Sequence, residues 1–124
     1  MTTGMVLRAY AAHPKYSHSD VALQTGTLMK QRLHEKDTFT FRQAIFYWYK
    51  FQFPFWWTDL VSVLDSLAKI GIKEEDKDIQ KSISWIVDNQ NPNGTWNASY
   101  GGKNRHADEW VTLAICRVLK AFLG

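Results

Sequence analysis

The sequence predicts an all-α domain of repeated helical hairpins, and three observations carry that prediction. Apolar residues recur at helical spacing over most of the chain. The one strand-like run, Phe51, Phe53 and Phe55 in alternation, is interrupted by Pro54 and finds no partner strand elsewhere. A faint internal repeat at an offset of 53 residues sets Trp57 against Trp110, Leu60 against Leu113, Val63 against Cys116, Ala68 against Ala121 and Gly71 against Gly124. Each repeat unit would be an outer helix, a loop and a more buried inner helix, and two units account for residues 42–124.

Taken in order, residues 4–12 form a short helix ended before Pro14. Asp20 to His34 reads as a second helix capped by Ser19 or Asp20 and weakened by Gly26. Residues 42–50 are taken as helix and 51–55 as an extended connection. The clearest stripe runs from Trp57 to Ile70 through Leu60, Val61, Leu64, Leu67 and Ala68, with Gly71 as its stop. Another helix starts near Asp76 and ends at Asn89, with Ile79, Ile83, Ile86 and Val87 on one face. The last spans Ala107 to Leu123, where apolar residues cover most of the circumference and predict burial on more than one side.

Composition bounds the function. A chain of 124 residues with 45% hydrophobic and 15% aromatic side chains makes one compact domain, not a disordered tail. The net charge of +3 is spread without a basic cluster, so no nucleic-acid partner is expected. No apolar run approaches the roughly 20 residues of a membrane span and no secretory segment opens the sequence, which predicts a cytoplasmic protein. The single cysteine, Cys116, excludes an internal disulfide and a cysteine-rich zinc cage, and its apolar neighbours predict a packed core position.

The most specific local pattern is Gln90-Asn91-Pro92-Asn93-Gly94-Thr95-Trp96. Asn-Pro and Asn-Gly are turn dipeptides that stop a helix sharply after Gln90. Trp96 would then return its indole to the helix end, where the Gln90 amide could stack on it and satisfy open carbonyls. Gln90, Gly94 and Trp96 are thus a structural motif and not a catalytic one.

This stretch resembles the Gln-x3-Gly-x-Trp repeat of squalene and oxidosqualene cyclases, with related repeats in protein prenyltransferase β subunits. The run from Trp110 to Leu119 is similar to the inner helix that follows such motifs, and Phe53 to Leu60 with Leu64 to Leu67 and Gly71 is similar to a preceding one. The resemblance implies a partial α/α toroid, because such a toroid takes about a dozen helices and this chain supplies at most half. The sequence departs from the family in its chemistry. Asp76-Lys77-Asp78-Ile79 lacks the last acid of the cyclase Asp-x-Asp-Asp motif, and Cys116 lacks the aspartate and histidine of the prenyltransferase zinc site.

By position, the resemblance places a ligand cavity at the starts of the inner helices, lined by Trp56, Trp57, Asp59, His106, Asp108, Glu109 and Trp110. Aromatic faces with a few acids suit a cation or a flat isoprenoid. The competing reading makes the tryptophans core and the acids helix-start residues. No catalytic residue, metal or cofactor is assigned. Two functions follow: a fragment of an isoprenoid-related enzyme without its own catalytic motif, or a non-catalytic module binding an apolar or carbohydrate ligand or a partner protein. Trp57 and Trp110 are expected to lie near each other. Inner helices left uncovered on one side predict self-association or contact with a missing domain.

Overall fold

The computed structural model describes residues 2–36, 45–55, 57–72, 76–99 and 105–124. Among these there are five α-helices, two short 3-10 turns and no strand: α1 (Thr2–Ala12), α2 (Asp20–Arg32), α3 (Leu60–Lys69), α4 (Lys77–Asp88) and α5 (Arg105–Leu123). The fold is all-α, as the periodicity predicts.

Local chemistry sets the boundaries. Ser19 is the cap of α2, its hydroxyl accepting the Ala22 N–H at 3.2 Å. Asp59 and Ser62 form a capping box at the start of α3: the carboxylate accepts the Ser62 N–H at 2.7 Å and the Ser62 hydroxyl accepts the Asp59 N–H at 3.0 Å. α3 ends in a paired closure, Gly71 N–H to Ala68 carbonyl and Ile72 N–H to Leu67 carbonyl, which needs the positive φ of 89° at Gly71. Asp76 caps α4 through the Asp78 and Ile79 N–H groups and pairs with Lys30 of α2 at 3.3 Å.

The helix expected over residues 42–50 takes another form. Residues 42–44 lie outside the described residues, and Ile45–Tyr49 is a 3-10 turn. Its residues, Ile45-Phe46-Tyr47-Trp48-Tyr49, are β-branched or aromatic and rank below straight-chain residues as helix formers. The turn is fixed instead by the buried Trp48, whose indole N–H donates to the Glu35 carbonyl at 2.7 Å. Residues 51–55 form the irregular connection expected of them, with a cis Phe53–Pro54 peptide.

α3 packs against α1 and α5 and, less extensively, α2, while α2 also packs on α1 and touches α4. Gly26 of α2 allows the close approach: a Cβ there would press into Ile70, and would meet Ile72 Cδ1 at 3.0 Å and Leu67 Cδ2 at 3.3 Å. What reads in the sequence as a weak point of α2 is its contact with the end of α3.

One hydrophobic core joins all five helices, from Leu7 and Ala22 through Leu60, Leu64 and Leu67 to Ile79, Ile86, Ile115 and Val118. Its centre is α3, where Leu60, Val61, Ser62, Val63, Leu64, Ser66 and Leu67 are all buried. α5 is not the all-round buried helix that its composition predicts. Val111, Ala114, Ile115 and Val118 face the core, whereas Trp110, Leu113 and Leu123 are exposed. Cys116 is also exposed, which corrects its expected place in the core. Among the described residues the main helix contact of α5 is with α3.

Candidate ligand cleft

The residues predicted to share a cavity occupy distinct environments. Trp56 lies outside the described residues. Trp57 is buried, and its indole N–H donates to the Lys50 carbonyl at 2.9 Å. Trp110 is exposed and stacks on Phe53, with ring centroids 6.1 Å apart and planes 18° from parallel. His106 and Glu109 pair at 3.1 Å on the surface of the first turns of α5, and Asp108 accepts the Ala98 N–H at 2.8 Å, tying Ala98 to the start of that helix.

Asp59 is the most perturbed of the set. Its burial pushes the carboxyl up to about 7, against the opposing pull of the Ser62 N–H and hydroxyl, the Arg8 charge and the Gln52 backbone N–H. It is a buried cap whose proton is held by its surroundings.

The Gln90 to Trp96 motif folds as a clamp, with its parts redistributed. Trp96 is buried, and its indole N–H donates to the Ile86 carbonyl at 2.8 Å, satisfying an acceptor in the last turn of α4. Its backbone N–H donates to the Thr112 hydroxyl at 3.0 Å, tying the turn to α5. The Gln90 amide donates to the Gly94 carbonyl at 2.9 Å rather than to the helix end, and Gly94 takes the positive φ of 87° that the turn requires. The stop after α4 and the indole's return follow the sequence reading; the carbonyl partner is Trp96 and not Gln90.

A cleft of about 310 Å3 opens between α1, α3, α5 and the connection at residues 53–55. That is within the range of small-molecule sites, roughly 300–1,000 Å3. Phe53, Pro54 and Phe55 make its apolar wall, the two rings edge to face at 5.2 Å. α1 contributes Arg8, Ala11 and Ala12, α3 contributes Asp65, Ser66 and Lys69, and α5 contributes Ala114 and Arg117. Arg8 donates to the Phe55 carbonyl at 2.8 Å with its guanidinium over that ring, and this holds the apolar wall against α1. Asp65 and Lys69 neutralise each other one helical turn apart, at 2.6 Å. None of the described predicted site residues lines this cleft; Trp110 stacks on Phe53, which does.

Sequence reasoning passed over Arg8, Arg117 and the Phe53–Phe55 wall as a site. The concentrated aromatics of residues 46–57 were the available signal, but nothing in the linear order brings α1 beside them. It also passed over His34. This residue sits at a positive φ of 66°, with Nδ1 2.8 Å from the Tyr49 hydroxyl and Nε2 2.8 Å from the Ser82 hydroxyl. Ser82 is fully buried and gives its proton to the Asp78 carbonyl at 2.7 Å. Nε2 is therefore the donor, and Nδ1 accepts from Tyr49. Burial, then the Lys81 charge, lowers the imidazole pKa, with Asp78 opposing. The hydroxyl is committed and closed off from solvent, so this trio joins α2, the 3-10 turn and α4 and is not a nucleophile with its base.

Comparison with known families, curated proteins and solved structures gives no match for this chain. Among the described residues no helix is long and apolar enough to cross a membrane.

Proposed function

We propose that this chain is a non-catalytic ligand-binding module, arranged as part of an α/α toroid, that takes a small ligand with an apolar body in the cleft between α1, α3 and α5. The observation carrying the reading is the cleft's construction: an aromatic wall on one side, small alanines on α1 and α5, and polar groups confined to the other walls. Such a lining orients a ligand more readily than it transforms one. Arg8 and Arg117 offer hydrogen-bond donors and no acceptor, which suits holding a ligand, and Asp65 is held by Lys69. The hairpin-like packing of α1 on α2 and the Trp96 clamp support the toroid part of the proposal. The reading as a piece of an isoprenoid-related enzyme rests on the Gln90 to Trp96 resemblance alone.

The test is a titration with N-phenylnaphthylamine, a neutral dye that fluoresces when it leaves water. Saturable enhancement is expected, together with its loss in Ala12→Trp, which fills the cleft from an exposed position on α1. No enhancement, or enhancement unchanged by Ala12→Trp, contradicts the site.

A second element of the proposal concerns partners. The two main neighbours of α3 expose apolar side chains, Met5 and Val6 on α1 and Trp110 and Leu113 on α5. These edges support contact with a further helical unit, a second copy or another domain. Light scattering of the purified chain is expected to show association, and a clean monomer speaks against a second copy.

A further inference from the structure

We infer that the cleft selects an oxyanion: a carboxylate, sulfonate or phosphate head carried on a flat apolar body, with the head at Arg117 and Arg8 and the body against Phe53 and Phe55. The inference rests on the cleft's being a binding site and adds the charge of what it binds. Three cations and one acid line the cleft, and they are not equivalent. Lys69 is neutralised by Asp65 at 2.6 Å. Arg8 is anchored by one nitrogen to the Phe55 carbonyl and keeps donors to spare, because a guanidinium carries five. Arg117 is exposed on α5 and makes no ion pair or hydrogen bond among the described residues.

Arg8 also acts on the buried Asp59, so it is Arg117 that presents guanidinium charge no carboxylate of the described residues answers, and a neutral ligand would leave that charge unused. A guanidinium is planar and matches the two oxygens of a carboxylate or sulfonate with parallel donors, which a single lysine cannot do. The Phe53 and Phe55 rings meet edge to face, so the wall offers both a ring face and a ring edge to a flat body. Arg8 lies over the Phe55 ring itself, so the cation and the apolar wall are contiguous. A head and a body joined directly fit that juxtaposition.

A matched pair of dyes separates this inference from the reading it rests on. Anilinonaphthalene sulfonate and N-phenylnaphthylamine share one aromatic body and differ by the sulfonate. The sulfonate is expected to bind about tenfold or more tightly at low salt, as charge-assisted hydrogen bonds allow. Arg117→Gln is expected to bring the ratio of the two affinities to within about twofold, as follows from losing that bond. Lys120→Gln removes the same charge from the same helix outside the cleft and is expected to keep the ratio. Circular dichroism checks that each variant is folded. Equal affinities in the parent, or a ratio lowered as much by Lys120→Gln as by Arg117→Gln, overturn the anion inference while the neutral dye still reports a site. Failure of both dyes overturns the site and the inference together.

Discussion

Counted from their tryptophans, α3 and its preceding turn run in step with α5: Trp57 against Trp110, Leu60 against Leu113, Val63 against Cys116. In the first series these residues are buried, Leu60 completely, whereas Trp110 is 53% and Leu113 51% exposed and Cys116 is open to solvent. The burial patterns do align, but one residue later. Trp57, Leu60, Val61 and Leu64 correspond to Val111, Ala114, Ile115 and Val118, all buried. One residue is about 100° of helix, so the faces marked equivalent by residue identity point in different directions. The difference teaches that the neighbours a helix has decide its burial. Among the described residues α3 packs on α1, α5 and α2, whereas α5 packs chiefly on α3. A helix with fewer neighbours keeps apolar residues that a further one would cover, as terminal units of helical arrays do when uncapped.

The enclosure of α3 has its largest consequence at Asp59. In the unfolded chain this carboxyl titrates near 4, and in the folded domain it is raised to about 7. The folded state therefore holds the proton longer, so Asp59 makes stability fall as pH rises from about 4 to about 7 and adds no further pH dependence above that. Asp59→Asn keeps a good cap and removes the buried charge. It is expected to stabilise the domain above pH 7 by up to about 4 kcal/mol, and to have little effect below pH 4. Urea unfolding of both proteins at several pH values reads this directly. An equal difference at every pH would mean that the carboxyl is not held as the surroundings of α3 imply. His34 runs the other way in the same data: its pKa is lowered, so the stability it supplies is present above about 6.5 and is lost as pH falls. Using Asp59→Asn as the only change keeps the two slopes apart.

The helical fold was readable because its signals are local. Period, Ser19 as a cap, Asp76 as a helix start and Gly71 as a stop all act within a few residues of their own position, and each does what its chemistry predicts; the cap at Asp59, which starts α3 at Leu60 and not at Trp57, was not read. The environment of α5 was not readable, because an apolar arc records which residues can be buried and not which neighbour is there to bury them. For the same reason Cys116 was misplaced. The cleft was half readable. Its aromatic wall comes from one dense stretch of sequence, but its cations come from Arg8 and Arg117 on α1 and α5, more than a hundred residues apart in the chain. The resemblance puts Trp57, Asp59 and Trp110 at one cavity; in the structure the Trp57 indole is bonded to the Lys50 carbonyl, Asp59 caps α3 and Trp110 stacks on Phe53.

The contrast between the two helices comes down to one pair of leucines. Leu60 and Leu113 are the same residue at the same place in the repeat, and differ in burial. Leu60→Ala and Leu113→Ala, compared by urea unfolding at one pH, put that difference on a free-energy scale. Leu60→Ala is expected to cost about 2–5 kcal/mol, as for a buried leucine, and Leu113→Ala no more than about 0.5 kcal/mol, as for a surface change. Equal and large costs would place Leu113 in a core, and would contradict the account of α5 as a helix packed chiefly on one neighbour.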